Sequence, residues 1–269
     1  MFDGDNKAYK RMAPKLQRVV IADPNPNSAR MLTEILRDIA RTQTWVATTT
    51  ERALKLAQTC EPQVIFVELR MDGFDGLDFT RRLRRSEMAT RQVPVIMTTG
   101  AATAAGILAA RDAGVHEFLR KPYSLKDLVR RLEAVTLGDR DWIEAVQYVG
   151  PDRRRFNSGE YDGPLKRRCD GDETPHQARV NQALKIIKSA VASIASDHDQ
   201  ALRALLTQAT VLQAMSTDFH MTLAASELSR HATLAAQAGN PVDVEEAQAW
   251  AKPILAFLPM DAAKSQAAA

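Results

Sequence analysis

Asp23, Glu68, Thr99 and Lys121 each stand at or just beyond the end of a short apolar run. Arg18-Val19-Val20-Ile21-Ala22 closes on Asp23, and Val64-Ile65-Phe66-Val67 closes on Glu68. Val93-Pro94-Val95-Ile96-Met97-Thr98 leads into Thr99, and Val115-His116-Glu117-Phe118-Leu119 ends two residues before Lys121. Two carboxylates, a hydroxyl and an ammonium make either a reaction centre or a satisfied ion cluster, if the chain brings them together. A second set of reactive types is a repeat. Tyr148-Val149-Gly150-Pro151-Asp152-Arg153-Arg154-Arg155 returns 13 residues later as Tyr161-Asp162-Gly163-Pro164-Leu165-Lys166-Arg167-Arg168. Guanidinium forks match phosphate oxygens and tyrosine can stack on a base. Tyr148, Arg153, Arg154, Arg155, Tyr161, Lys166, Arg167 and Arg168 are therefore candidates for contact with nucleic acid, a cyclic dinucleotide or an acidic protein surface. The plainer alternative is a solvated basic linker.

The elements that must position the first set alternate strand and helix. Runs at 18–22, 44–48, 64–67, 93–99 and 115–119 have the profile of buried strands. Between them, Ser28 opens a helical pattern through Met31, Leu32, Ile35, Leu36 and Ile39, and Ser124 caps another carrying Leu125, Leu128, Val129 and Leu132. Ala101–Ala113 reads as a tightly packed helix, and Asp72 and Asp75 as solvated loop acids. Five βα pairs in about 120 residues imply a doubly wound five-stranded parallel sheet. In such sheets function collects at the carboxyl ends of central strands, which draws Asp23, Glu68, Thr99 and Lys121 toward one another.

The rest of the chain divides by composition. Residues 1–16 read as a flexible polar tail, 17–137 as the α/β domain, and 138–175 as a basic linker rich in Gly, Pro and Arg. Residues 176–258 read as an all-α region, with Thr174 and Pro175 as the start signal. Val180, Leu184, Ile187, Val191 and Ile194 step along it as a heptad-like seam, suited to a bundle or to a two-chain interface, so a homodimer is expected. Ser196-Asp197-His198-Asp199 interrupts the pattern, Gly239-Asn240-Pro241 stops a later helix, and 259–269 reads as a disordered tail. Composition is that of a globular protein, with 45% hydrophobic and 26% charged residues and a net charge of +3. No run approaches the roughly 18 apolar residues of a membrane span. The polar start lacks the apolar core of a signal peptide, so a cytoplasmic location is expected. Cys60 and Cys169 lack metal-type spacing and are read as structural or incidental.

Three motifs in order resemble the response-regulator receiver family, with its flavodoxin-like fold, over some 120 residues. Val64-Ile65-Phe66-Val67-Glu68-Leu69-Arg70-Met71-Asp72-Gly73-Phe74-Asp75-Gly76-Leu77 is similar to the family's third strand and loop. Pro94-Val95-Ile96-Met97-Thr98-Thr99-Gly100 is similar to its fourth strand, and Asp112 through Leu119-Arg120-Lys121-Pro122-Tyr123 to its fifth strand and Lys-Pro turn. The resemblance implies that a strand-three aspartate takes a phosphoryl group, that paired acids after strand one help it hold Mg²⁺, and that a Ser/Thr and a lysine support the product. In this chain those positions hold Glu68 for the phosphoacceptor, Asp23 and Pro24 for the acids, Thr99 and Lys121; Phe118 falls on the aromatic switch position. A proline usual four residues past the phosphoacceptor is Asp72 here.

Glutamate keeps the charge, yet its extra methylene displaces the carboxylate by roughly an ångström, where placement dominates phosphoryl transfer. Proline cannot ligate through its side chain. The resemblance therefore implies a non-enzymatic pseudo-receiver that is not phosphorylated and has no cofactor, with Asp23 and Glu68 the ligands of any weak Mg²⁺. Glu68 is expected to reach Lys121 or Thr99 instead. The helical region lacks the phosphotransfer signature of a histidine followed by Lys at +3 and Gly at +4: His176 is followed by Arg179 and Val180. His198 reads as a packed or capping residue, and no winged-helix or kinase pattern follows. The expected role is a signalling adaptor binding a protein partner such as a histidine kinase or another receiver. A nucleotide or nucleic-acid effector acting through the repeat is the second reading, and a conventionally phosphorylated regulator the third.

Overall fold

The computed structural model describes residues 3–71, 73–153, 174–239 and 241–259. Contacts divide them into two units. The first takes in the chain through Ile143 together with Tyr148–Arg153; the second takes in Glu144–Gln147 together with the helices from Pro175 onward.

In the first unit the apolar runs become strands β1 (Arg18–Ala22), β2 (Gln43–Ala47) and β3 (Val64–Glu68). A two-residue pair follows, β4 (Arg70–Met71) with β5 (Phe74–Asp75), and then β6 (Val95–Thr99) and β7 (Glu117–Arg120). The main sheet is parallel throughout, in the order β2-β1-β3-β6-β7. Every residue of β3 and β6 is buried, because helices cover both faces. Those helices are α1 (Asp3–Met12), α2 (Pro26–Ala40), α3 (Thr50–Thr59), α4 (Gly76–Arg85), α5 (Ala104–Asp112) and α6 (Leu125–Thr136). Side-chain caps set where they begin. Asn25 accepts the amides of Asn27 and Ser28, so α2 starts at Pro26, ahead of the Ser28 expected. Ser124 and Asp127 form a reciprocal capping box on α6.

Four expectations fail here for physical reasons. Residues 1–16 are not all tail: α1 and a following 3-10 turn seal one face of the sheet, with Met12 and Leu16 wholly buried beside Leu36, Val64 and Leu128. Asp75 is no free loop acid, since its carboxylate accepts the amides of Leu77 and Asp78 at the start of α4. The Ala-rich helix is not tightly packed, because within α5 only Ala110 is fully buried. Nor is the linker 138–175 unstructured throughout, since β8 (Trp142–Glu144) and β9 (Val149–Pro151) pair within it.

The second unit is four helices, α7 (Pro175–Ser193), α8 (His198–Met215), α9 (Phe219–Ala238) and α10 (Val244–Leu255). Loops of four, three and five residues join them, and α7 and α9 each pack against both α8 and α10. Leu184, Ile187, Val191 and Ile194 are buried in this bundle with Leu205, Leu212, Leu228 and Ile254. The seam is therefore covered by the chain's own helices and offers no free face to a second chain. The Ser196–Asp199 break and the Gly239 stop fall where expected, with Gly239 at φ +66°. His198 Nε2 accepts the Val242 amide at 3.1 Å, in the loop just ahead of α10. Residues 144–147 thread into the bundle: Gln200 Nε2 donates to Glu144 Oε1 (2.9 Å), and Gln208 Nε2 to the Glu144 carbonyl (3.0 Å).

A buried leucine truncated to alanine leaves a cavity, whereas one in a solvated tail costs nothing. Leu16→Ala should lower the urea-derived unfolding free energy of the first unit by about 2–5 kcal/mol. A change under about 0.5 kcal/mol would return the segment to the status of a tail.

Candidate functional site

Strand register alone lines up the first set of residues. Ala22 pairs with Val67, Glu68 with Thr98, and Thr99 with Arg120, so Asp23, Glu68, Thr99 and Lys121 lie at the carboxyl ends of β1, β3, β6 and β7. Local bonds then fix each backbone. The Asp23 amide donates to the Ala47 carbonyl (3.0 Å), the Lys121 amide to that of Thr99 (2.7 Å), and the Gly76 amide to that of Leu69 (3.0 Å). Gly76 is required here: a Cβ on it would stand 2.2 Å from the Glu68 carbonyl oxygen, so α4 could not start against the end of β3.

The side chains close on one another. Lys121 Nζ donates to Asp23 Oδ2 at 2.7 Å and to Glu68 Oε2 at 2.8 Å. The remaining carboxylate oxygens accept backbone amides: Asp23 Oδ1 that of Asn25 (2.8 Å) and Glu68 Oε1 that of Leu69 (3.0 Å). Of the two partners expected for Glu68, the structure supplies Lys121. Thr99 Oγ1 accepts the Ala101 amide instead (3.2 Å). Burial opposes the charge on Lys121, yet the hydrogen bonds and charges of Asp23 and Glu68 outweigh it and hold the ammonium above the usual lysine pKa. Phe118 is buried in an apolar cluster that includes Val67 and Met97. Tyr123 was not foreseen. Its phenol is pushed above the usual tyrosine value by burial, with Asp23 and Glu68 adding to the effect and Lys121 opposing it.

This donor set does not fit Mg²⁺. A hard cation wants about six oxygen ligands. Pro24 has no side-chain oxygen to offer, both carboxylates are engaged by Lys121, and no group of three or more acidic, His or Cys side chains gathers among the described residues. The ammonium stands between the carboxylates as their counter-charge.

A second buried polar cluster lies at the opposite ends of β6 and β7. Arg84 Nε donates to the Gly114 carbonyl (2.9 Å), Nη1 to those of Arg91 (2.7 Å) and Val93 (2.9 Å), and Nη2 to His116 Nδ1 (3.2 Å). Trp142 lies against the guanidinium, 5.3 Å from ring centroid to Cζ. Burial chiefly pulls Arg84 down to about 9. Glu117 is ion-paired to Arg131 (3.0 Å) and to Arg140, yet burial outweighs both and leaves its carboxyl above the ordinary value.

Here the first copy of the Tyr-Arg repeat meets its correction. Tyr148 is buried, not presented to a ligand: its hydroxyl donates to the Pro151 carbonyl (2.5 Å), and Arg153 covers its ring at 4.4 Å. Burial, against the pull of Arg153 and Arg84, pushes its phenol up to about 12. Arg153 also bonds Asp112 Oδ1 at 2.9 Å. The cause is a backbone approach that only glycine allows. A Cβ on Gly114 (φ +93°) would lie 2.6 Å from the Val149 carbonyl, and one on Gly150 would lie 2.7 Å from Gly114 Cα. Arg154, Arg155, Tyr161, Lys166, Arg167 and Arg168, the expected tail from residue 260 on, and Asp72 lie outside the described residues.

With this geometry in place, comparison with known proteins is informative. The response regulator receiver domain family matches residues 19–133, so the matched segment ends before the helical unit. The DNA-binding response regulator MtrA of Mycolicibacterium smegmatis is 30% identical over 118 residues, 44% of this chain and 50% of that protein. The chemotaxis protein CheY of Pseudomonas aeruginosa is 27% identical over 118 residues, 44% of this chain and 94% of that one. Among solved structures, the signal receiver domain of a DNA-binding response regulator (merR) from Colwellia psychrerythraea 34H shares 26% identity over 43% of this chain and 94% of its own, with a TM-score of 0.41. This chain spans about half the length of the MtrA proteins it matches. No helix among the described residues is long and apolar enough to cross a membrane.

His116 gives a test of the second cluster. Its Nδ1 accepts from both Arg84 and the Val95 amide (3.3 Å), and burial, with Arg84 and Arg140 beside it, holds its pKa well below 6.5. The ring stays neutral when folded and takes a proton when unfolded. Stability should therefore be lost as pH falls below 6.5, by about 1.4 kcal/mol per unit for one uncompensated proton. His116→Asn keeps an acceptor near the same point and removes the titration. Urea titrations across this window should show a shallower pH slope for the variant; equal slopes would clear His116.

Proposed function

Residues 19–133 being a response regulator receiver domain, we propose that this one works without phosphorylation, as the non-enzymatic receiver of a signalling adaptor. The observation that carries the reading is the pair of hydrogen bonds that Lys121 Nζ donates to Asp23 Oδ2 and Glu68 Oε2. An incoming phosphodonor would need a free carboxylate oxygen in line for attack, a cation to gather its charge and a lysine free to turn toward the product. All four carboxylate oxygens are engaged, Pro24 replaces a ligand, and Lys121 is held by the carboxylates themselves. The pocket thus rests in one state, and signalling passes through protein contacts instead of through a change at residue 68.

Partner binding on this reading belongs to surfaces away from the pocket: the four-helix unit and the basic residues Arg153, Arg154, Arg155, Lys166, Arg167 and Arg168. Tyr148 is excluded from that set by its burial. An acidic protein surface, such as another receiver or a histidine kinase presents, suits the charge of this arm. The work is cytoplasmic on this reading, where such partners are found.

Incubation with acetyl phosphate and Mg²⁺, followed by intact mass spectrometry, should leave the chain unmodified. A stoichiometric phosphoryl gain that Glu68→Gln abolishes would overturn the reading. Changing Glu68 to Asp and Pro24 to Asp together restores a third carboxylate and a shorter nucleophile. Isothermal titration with Mg²⁺ should detect binding in that double variant and none in the parent. Binding of equal strength in both would show that the ammonium does not exclude the cation.

A further inference from the structure

Three of the large apolar side chains exposed among the described residues lie on α9: Phe219 (74%), Leu223 (48%) and Leu234 (54%). At about 100° per residue, Phe219, Leu223, Glu227, Arg230 and Leu234 fall within an arc of about 80°. The opposite face buries Met221, Ala224, Ala225, Leu228 and Ala232 in the bundle. One stripe of α9 is thus core and the facing stripe is apolar at both ends, with one acid and one base at its centre.

The order along that stripe is symmetric. Leu223 and Leu234 lie equally far from the point midway between residues 228 and 229, and so do Glu227 and Arg230. Turned end for end, the stripe sets leucine on leucine and acid on base. An interface between two copies about a two-fold axis has to be self-complementary in this sense, residue i meeting j and j meeting i. Parallel pairing would instead set Glu227 against its own copy and Arg230 against its own, which charge pairing along helix seams disfavours.

We propose that the Phe219–Leu234 face of α9 docks on the same face of a second copy of this chain, antiparallel, about an axis near residues 228–229. The heptad seam on α7 cannot serve, because it is spent inside the bundle. The inference is independent of the pocket and of whether Glu68 is ever modified. Leu223 of each copy then covers Leu234 of the other, two Glu227–Arg230 pairs flank the axis, and Phe219 closes each end over the last turn of the opposite helix.

The test is sedimentation velocity on the full chain from about 1 to about 100 µM at low salt, the range in which a helix-face dimer of modest area exchanges. The parent should pass from monomer to dimer as concentration rises. Glu227→Arg and Arg230→Glu should each weaken association by at least about tenfold, since each places like charges together twice. The combined swap restores both pairs and should restore the parent's affinity. Leu223→Asp should leave a monomer. All three positions belong to the solvent-facing stripe, so circular dichroism of the monomer at the low end of the concentration range should not change; if Leu223→Asp does unfold, the charge series still decides. A parent that stays monomeric to the highest concentration overturns the proposal. So does a dimer indifferent to the charge reversals, or a double swap no better than the single changes.

Discussion

A charge moved from water into a protein interior loses several kcal/mol of hydration, and only partners at hydrogen-bond distance restore it. Lys121, Asp23 and Glu68 meet that condition only together. Remove the ammonium, and two carboxylates on neighbouring strands face each other almost without solvent. The rest of the first unit holds this contact in register. β1 and β3 must lie side by side to bring the acids together, and the crossover through α5 must place β7 on the far side of β6 so that Lys121 reaches back. Gly76 must lack a side chain so that α4 can leave directly from the end of β3.

That arrangement was largely legible in the sequence because parallel strands buried on both faces are continuous apolar runs, and topology then gathers their ends. Caps were legible where a short polar side chain preceded a periodic run, as at Ser124 and Thr174. Most of what escaped notice shares one cause, a partner far away in sequence; Asp75 is the exception, since it caps α4 through Leu77 and Asp78. Met12 and Leu16 are two apolar residues in a charged stretch, and nothing local reveals that they cover the sheet. Asp75 looked like a loop acid because its role depends on α4 starting one residue later. Tyr148, Gly150 and Arg153 looked like a ligand arm because their true partners, Gly114 and Asp112, lie more than thirty residues upstream. The signal was present in the Gly-Pro following the tyrosine, but it marks a turn without saying against what.

Misreading the α7 seam has a different origin. Heptad spacing states that a stripe must be buried, not by which chain. Three short loops bring α8 and α10 onto α7, with α9 packed against both of them, and the loops, more than the seam, decide that the burial is internal. The residues that a second copy would recognise are then those the bundle leaves over. In α9 that remainder carries opposite charges at symmetric positions, a pattern invisible until the buried face is known.

The two departures in the pocket also belong together by charge. A pocket with two acids after β1, an acid on β3 and one lysine carries a net charge of −2, too much to bury without a divalent cation. Proline at 24 removes one negative charge, so Asp23, Glu68 and Lys121 sum to −1, spread over four oxygens that all accept hydrogen bonds. Glutamate at 68 supplies the reach: its longer side chain gives one oxygen to the Leu69 amide and the other to Lys121. Restoring an acid at 24 alone would add an uncompensated charge, and shortening Glu68 alone would withdraw the carboxylate from the ammonium. Either change alone would alter the number of partners around the lysine. The two positions are tied to each other through Lys121, whose ammonium holds both carboxylates.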